Sequence, residues 1–144
     1  MKTLTILILL ITNCIYANNK LTYTEKVIAL TILGEARGEG KSGMYAVACV
    51  LKQRAVERKL GLAKVCLQRK QFSCWNGGRD LNHLLKGKSA PYAVKLARHL
   101  AAGGDLKRQY VNQANHYCTL KTNPYWAKGI KPVKIIKNHK FYKL

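Results

Sequence analysis

Two apolar stretches, Val27 to Leu33 and Met44 to Leu51, are separated by Gly34-Glu35-Ala36-Arg37-Gly38-Glu39-Gly40. The interval carries two of the six acidic residues (Glu25, Glu35, Glu39, Glu57, Asp80, Asp105) of a chain with 26 Lys and Arg and a formal net charge of +20. Carboxylates so scarce, set four apart after an apolar helix, are either solvated helix-end residues or groups with acid–base work to do. A carboxylic acid held against hydrocarbon keeps its proton near neutral pH and can pass it to a leaving oxygen. Ile32 and Leu33 would give Glu35 that setting, and Arg37 would oppose it if turned the same way. Gly34 and Gly38 permit close approach of backbone or ligand. Glu39 has two readings. If residues 35–39 were helical, both acids would share a face one turn apart, as in a retaining glycosidase. Three glycines in the interval argue instead that Glu39 orients Arg37 or a backbone amide.

Periodicity outlines the remaining elements. Thr24 reads as the N-cap of a helix that turns Val27, Ile28, Thr31 and Ile32 inward and ends near Gly34. A second helix is expected from Ser42 to Gly61, with Met44, Val47, Ala48, Leu51 and Ala55 inward and Lys52, Arg54 and Arg58 on its polar face. A third runs from Pro91, suited to a first turn, to Gly103-Gly104. Residues 71–78 read as loop. Short β-type runs follow at 114–120, 133–136 and 139–142. Helices first and strands later predict an α+β fold.

Residues 1–17 read as a signal peptide. Lys2 precedes an apolar run from Leu4 to Ile11 that is too short for a membrane span. Cleavage after Ala17 is expected; lipid modification at Cys14 and an uncleaved anchor are the alternatives. Residues 18–144 are then expected to form a single, monomeric domain outside the cytoplasm, in periplasm, cell wall or medium. Export makes disulfides feasible among Cys49, Cys66, Cys74 and Cys118, in pairings that sequence does not separate. Cys49, in an apolar helical run, reads equally as a buried thiol. With no C-x-x-C pair, a zinc site is not expected.

The positive charge calls for an anionic partner. Lysine dominates and is scattered, which suits adsorption to anionic cell-wall polymers better than base readout by Arg, Asn and Gln, so no specific nucleic acid is expected. A metal-dependent nuclease needs converging carboxylate or His ligands, and the acids here are too few. A non-catalytic, cationic wall-binding module is the remaining competitor.

Several ordered motifs resemble the SleB/CwlJ-like cell wall hydrolases. They are Gly34-Glu35-Ala36-Arg37-Gly38-Glu39, Ala46 to Arg54, Gln71-Phe72-Ser73-Cys74, Asn115-His116-Tyr117, Asn123 to Ala127 and Asn138 to Tyr142. Together they cover roughly residues 25–142; between Trp75 and Val111 little is recognisable. The resemblance implies a lysozyme-like fold, mostly helical with a small C-terminal β-region. It also implies cleavage of peptidoglycan glycan strands at the bond between N-acetylmuramic acid and N-acetylglucosamine, by a lytic transglycosylase with one glutamate as general acid and base or by a muramidase-type hydrolase. Glu35 takes the place of the family's catalytic glutamate. Glu39, Phe72, His116, Tyr117, Trp126, His139 and Tyr142 become candidates for holding substrate, since aromatic faces and polar tips suit sugars. No organic cofactor and no metal is implied, and no acid-rich loop suits calcium.

Overall fold

A computed structural model describes residues 20–144. The expected signal peptide and Cys14 lie outside the described residues. The first helix, α1 (Tyr23–Ala36), is covered on every side past its first turn: Val27, Ile28, Ala29, Leu30, Thr31, Ile32 and Leu33 are all buried. A helix without a polar face belongs at the centre of a fold. Burying Ile28 or Ile32 contributes about 1.5–3 kcal/mol each. Its cap is Thr22, two residues before the Thr24 expected. Thr22 Oγ1 accepts from Glu25 N–H (3.2 Å), and Thr22 N–H donates to Glu25 Oε2 (2.8 Å). This reciprocal pair satisfies two otherwise orphaned donors.

The end of α1 expected near Gly34 falls two residues later. Helix α1 continues through Ala36, a single 3₁₀ turn covers Arg37–Glu39, and α2 (Gly40–Arg58) starts at once. Only Gly40, at φ 68°, needs a glycine's conformational freedom here. Glu35 therefore sits on the last helical turn, while Glu39 lies beyond a change of direction.

Helix α2 is buried on two sides. Met44, Val47, Ala48 and Leu51 join the core around α1, whereas Ala46, Cys49 and Val50 join Val111, Ala114 and Phe141 in a second core. The helix ends at Arg58, with Lys59 left-handed at φ 52°, rather than at Gly61. Arg54, expected on the solvated face, is 4% exposed. A short α3 (Leu62–Leu67) and α4 (Ala90–Ala101) complete the cover over α1.

The C-terminal part forms an antiparallel sheet of β1 (His116–Thr119), β2 (Lys134–Ile136) and β3 (His139–Tyr142), in the order β1-β3-β2. The α+β class holds. Tyr117 pairs with Phe141, and Thr119 with His139. Alternation therefore turns Tyr117, His139 and Phe141 toward α2, and His116, Cys118 and Tyr142 the other way. The four described cysteines, Cys49, Cys66, Cys74 and Cys118, are free thiols. Cys49 is the buried thiol its helical setting allowed, and burial pushes it up to about 12. Among the described residues no helix is long and apolar enough to cross a membrane.

Glu39 ties the sheet to the helices. The Asn138 backbone N–H donates to its Oε2 (2.9 Å) and Asn138 Nδ2 to its Oε1 (3.2 Å), across 99 residues of chain. The amide reading of Glu39 is the one observed; Arg37 donates instead to Leu33 O and Gly34 O. The Asn138 backbone bond, above all, holds the Glu39 carboxyl below the ordinary value of 4.5. A carboxyl depressed on folding stabilises above its unfolded value, and the contribution is lost as pH falls through the folded value. Glu39→Ala is thus expected to lower the thermal midpoint by about 2–4 °C at pH 7. Calorimetry should find that gap closing as the pH is taken below 4.5.

Candidate active site

Glu35 is half-buried, and its carboxyl meets polar donors rather than the Ile32 and Leu33 side chains expected. Ser73 Oγ (3.2 Å) and the Cys74 backbone N–H (2.9 Å) donate to Oε1, and Tyr117 Oη (2.8 Å) donates to Oε2. Three donors from two segments fix the orientation of both oxygens. The Ser73–Trp75 turn is held down by the Trp75 indole N–H, which donates to Thr31 Oγ1 (2.9 Å) one helical turn before Glu35. Thr31 in turn donates to Val27 O (2.8 Å). Gly34 makes room for this turn: a Cβ there would lie 2.5 Å from Cys74 Cβ and 2.9 Å from its Sγ. The glycine next to the acid thus serves protein packing.

The cleft over Glu35, of about 340 Å³, is lined by Arg54, Gln71, Ser73, Tyr117 and His139 among others, and Glu35 supplies its only carboxyl among the described residues. Burial and the adjacent Glu35 hold the Tyr117 phenol well above its ordinary value, so it remains a proton donor at neutral pH. Arg54 Nε donates to Asn115 O (2.6 Å), and its guanidinium lies 5.0 Å over the Phe72 ring. Desolvation lowers Arg54 to about 10, which leaves it a cation. Its Nη1 and the Nδ1 of His139 are buried with no hydrogen-bond partner among the described residues. Burial lowers His139, so its ring is neutral at pH 7. Buried polar atoms without partners are costly, and both of these side chains line the cleft.

The structure divides the expected substrate-holding residues. Tyr117 and His139 meet at Glu35, their rings 5.2 Å apart and edge-to-face. His116, Trp126 and Tyr142 form a separate cluster on the other face of the sheet, with ring separations of 5.1 and 5.3 Å to Trp126. Phe72 is 1% exposed beneath Arg54 and has no face to offer a sugar. Glu39 lines a different hollow with Lys137 and Asn138. Three participants escaped the sequence reading: Arg54, Ser73 and the Cys74 amide. Ser73 and Cys74 stand in a recognised motif, but a backbone N–H leaves no mark in sequence. Arg54 was assigned to solvent because helical spacing cannot show that α2 is covered twice.

Among the described residues no group of three or more His, Cys, Asp or Glu is placed to hold a metal ion. The arrangement that does exist suits proton transfer: one oriented carboxyl, one phenol bonded to it, and a neighbouring neutral imidazole. A family model described as Cell Wall Hydrolase matches residues 38–142. The match begins three residues after Glu35. No curated protein and no solved structure was found to match the chain. Tyr117→Phe removes one donor from the Glu35 carboxyl while keeping the ring. Losing a bond to a carboxylate is expected to lower the thermal midpoint by a few degrees, as calorimetry would record.

Proposed function

The chain belongs to the cell wall hydrolase family, and from that premise we propose that it cleaves peptidoglycan glycan strands with Glu35 as both general acid and general base. The bond would be that between N-acetylmuramic acid and N-acetylglucosamine. Protonated Glu35 hands its proton to the glycosidic oxygen as the C1–O bond breaks. The resulting carboxylate then takes the proton of the muramoyl 6-hydroxyl, whose oxygen closes on C1. The products are a new free hydroxyl and a 1,6-anhydro end, and no water is consumed.

The single carboxyl in the cleft is what supports this scheme. Two-carboxylate glycosidases place the second group about 5–9.5 Å from the first, and the obvious candidate, Glu39, is engaged by Asn138. One group serving in turn as acid and base suffices when the nucleophile is already part of the substrate. Tyr117, which already donates to Glu35 Oε2, would keep that bond to the carboxylate left by the first transfer. The +20 charge would hold the exported protein on anionic wall polymers and raise the encounter rate.

Glu35→Gln tests the assignment. It keeps the shape of the side chain, removes the proton and is expected to cut muropeptide release from purified sacculi by at least about 100-fold. Adsorption to the same sacculi should be unchanged. Unaltered sacculi with wild-type protein would favour the non-catalytic wall-binding reading. Mass spectrometry of released fragments reads the chemistry directly, because an anhydro end is one water lighter than a hydrolysed end.

A further inference from the structure

A second hollow, of about 520 Å³, adjoins the Glu35 cleft, and the two share Gly34, Ser73 and Asn76. Its remaining lining comes from Arg37, Cys74, Arg79, Asp80, Leu81, His83 and Leu84. Most of it belongs to the stretch after Trp75 that no motif covers. Two cations from different segments face this space, and neither Arg37 nor Arg79 is ion-paired among the described residues. Asp80 also lines the hollow and makes no ion pair with either arginine among the described residues; its Oδ1 accepts from Asn82 N–H (2.9 Å) and Nδ2 (2.6 Å), which leaves the two arginines in excess by one positive charge. Arg37 is exposed and its Nη1 makes long contacts with Leu33 O (3.4 Å) and Gly34 O (3.5 Å), while its backbone carbonyl accepts from Ser89 Oγ (3.1 Å). The floor is apolar, with Leu81 and Leu84 each 8% exposed.

We infer that this hollow is a subsite for the short peptide carried by the wall glycan, with Arg79 and Arg37 taking its carboxylate. The inference rests on the glycan-cleaving reading above and names what lies beside the scissile bond. N-acetylglucosamine is neutral and the lactyl carboxyl of N-acetylmuramic acid is taken up in the amide bond to the peptide, so free carboxylates on a peptide-bearing strand come from its peptides, whose small aliphatic side chains match the leucine floor. Guanidinium groups bind carboxylates through paired N–H donors. Ser73, on the rim between the hollows, donates to Glu35, so a peptide seated here lies next to the reacting sugar.

The test uses the full chain carrying Glu35→Gln, which holds ligand without turning it over. Calorimetric titration compares two soluble glycan fragments, one bearing the peptide and one in which the same lactyl carboxyl is capped as a simple amide. Arg79 is exposed in a loop, so its replacement leaves the core untouched. Adding Arg79→Ala is expected to weaken the peptide-bearing fragment about fivefold and to leave the peptide-free fragment unchanged. Equal weakening of both, or of neither, overturns the inference. A glycerol-phosphate polymer is the control for charge alone: if Arg79→Ala weakens it as much as the peptide-bearing fragment, the site is a phosphate site and the inference fails. If neither fragment binds and wild-type protein releases nothing from sacculi, the glycan-cleaving reading itself falls.

Discussion

A helix buried all round from Val27 to Leu33 is the constraint from which the rest of this molecule follows. Because α1 is apolar almost all round there, the chain must cover it from several directions, and α2, α3, α4 and the Ser73–Trp75 turn do so. Its last turn is where that cover runs out. There the next charged side chain after Lys26, Glu35, meets the edge of the core. Its position is set by the burial of Val27 to Leu33 along the preceding helix, and not by any property of the carboxyl.

Helix α2 transmits this placement to the sheet. One of its sides joins the core around α1 and another packs on Phe141 and Val111, so Tyr117 is delivered to Glu35 from the far side of a second core. The Glu39 bonds to Asn138 close the same connection at its other end. The two acids of one glycine-rich interval therefore do different work. Glu35 faces a cleft, while Glu39 fastens the turn between β2 and β3. The change of direction at Arg37–Glu39 separates them, and a continuous helix would have set them side by side.

The cleft concentrates groups that are expensive to bury. A guanidinium at 4% exposure and an imidazole at 5% each carry a nitrogen without a partner among the described residues. A fold tolerates such atoms where their fixed dipoles and charge are useful to a ligand or a reaction. The cleft and the adjoining hollow thus differ in kind. The first holds buried, oriented groups around one carboxyl; the second presents exposed cations over an apolar floor.

The residues alone determined the α+β order, the inward positions of α1, the neighbourhood of the three C-terminal strands, and that carboxyls such as Glu35 are few. Those features follow from local periodicity and from the scarcity of acids, which one linear string displays. Only the tertiary structure decided that Glu35 is bonded by Ser73, Cys74 and Tyr117 rather than lodged in hydrocarbon. It alone placed Arg54 inside, put His116, Trp126 and Tyr142 behind the sheet, and sank Phe72 in the core. The physical reason is range. A helix repeats every few residues and a strand every two, but which face of the sheet meets α2 depends on contacts between segments 38 to 82 positions apart. No local pattern encodes those contacts.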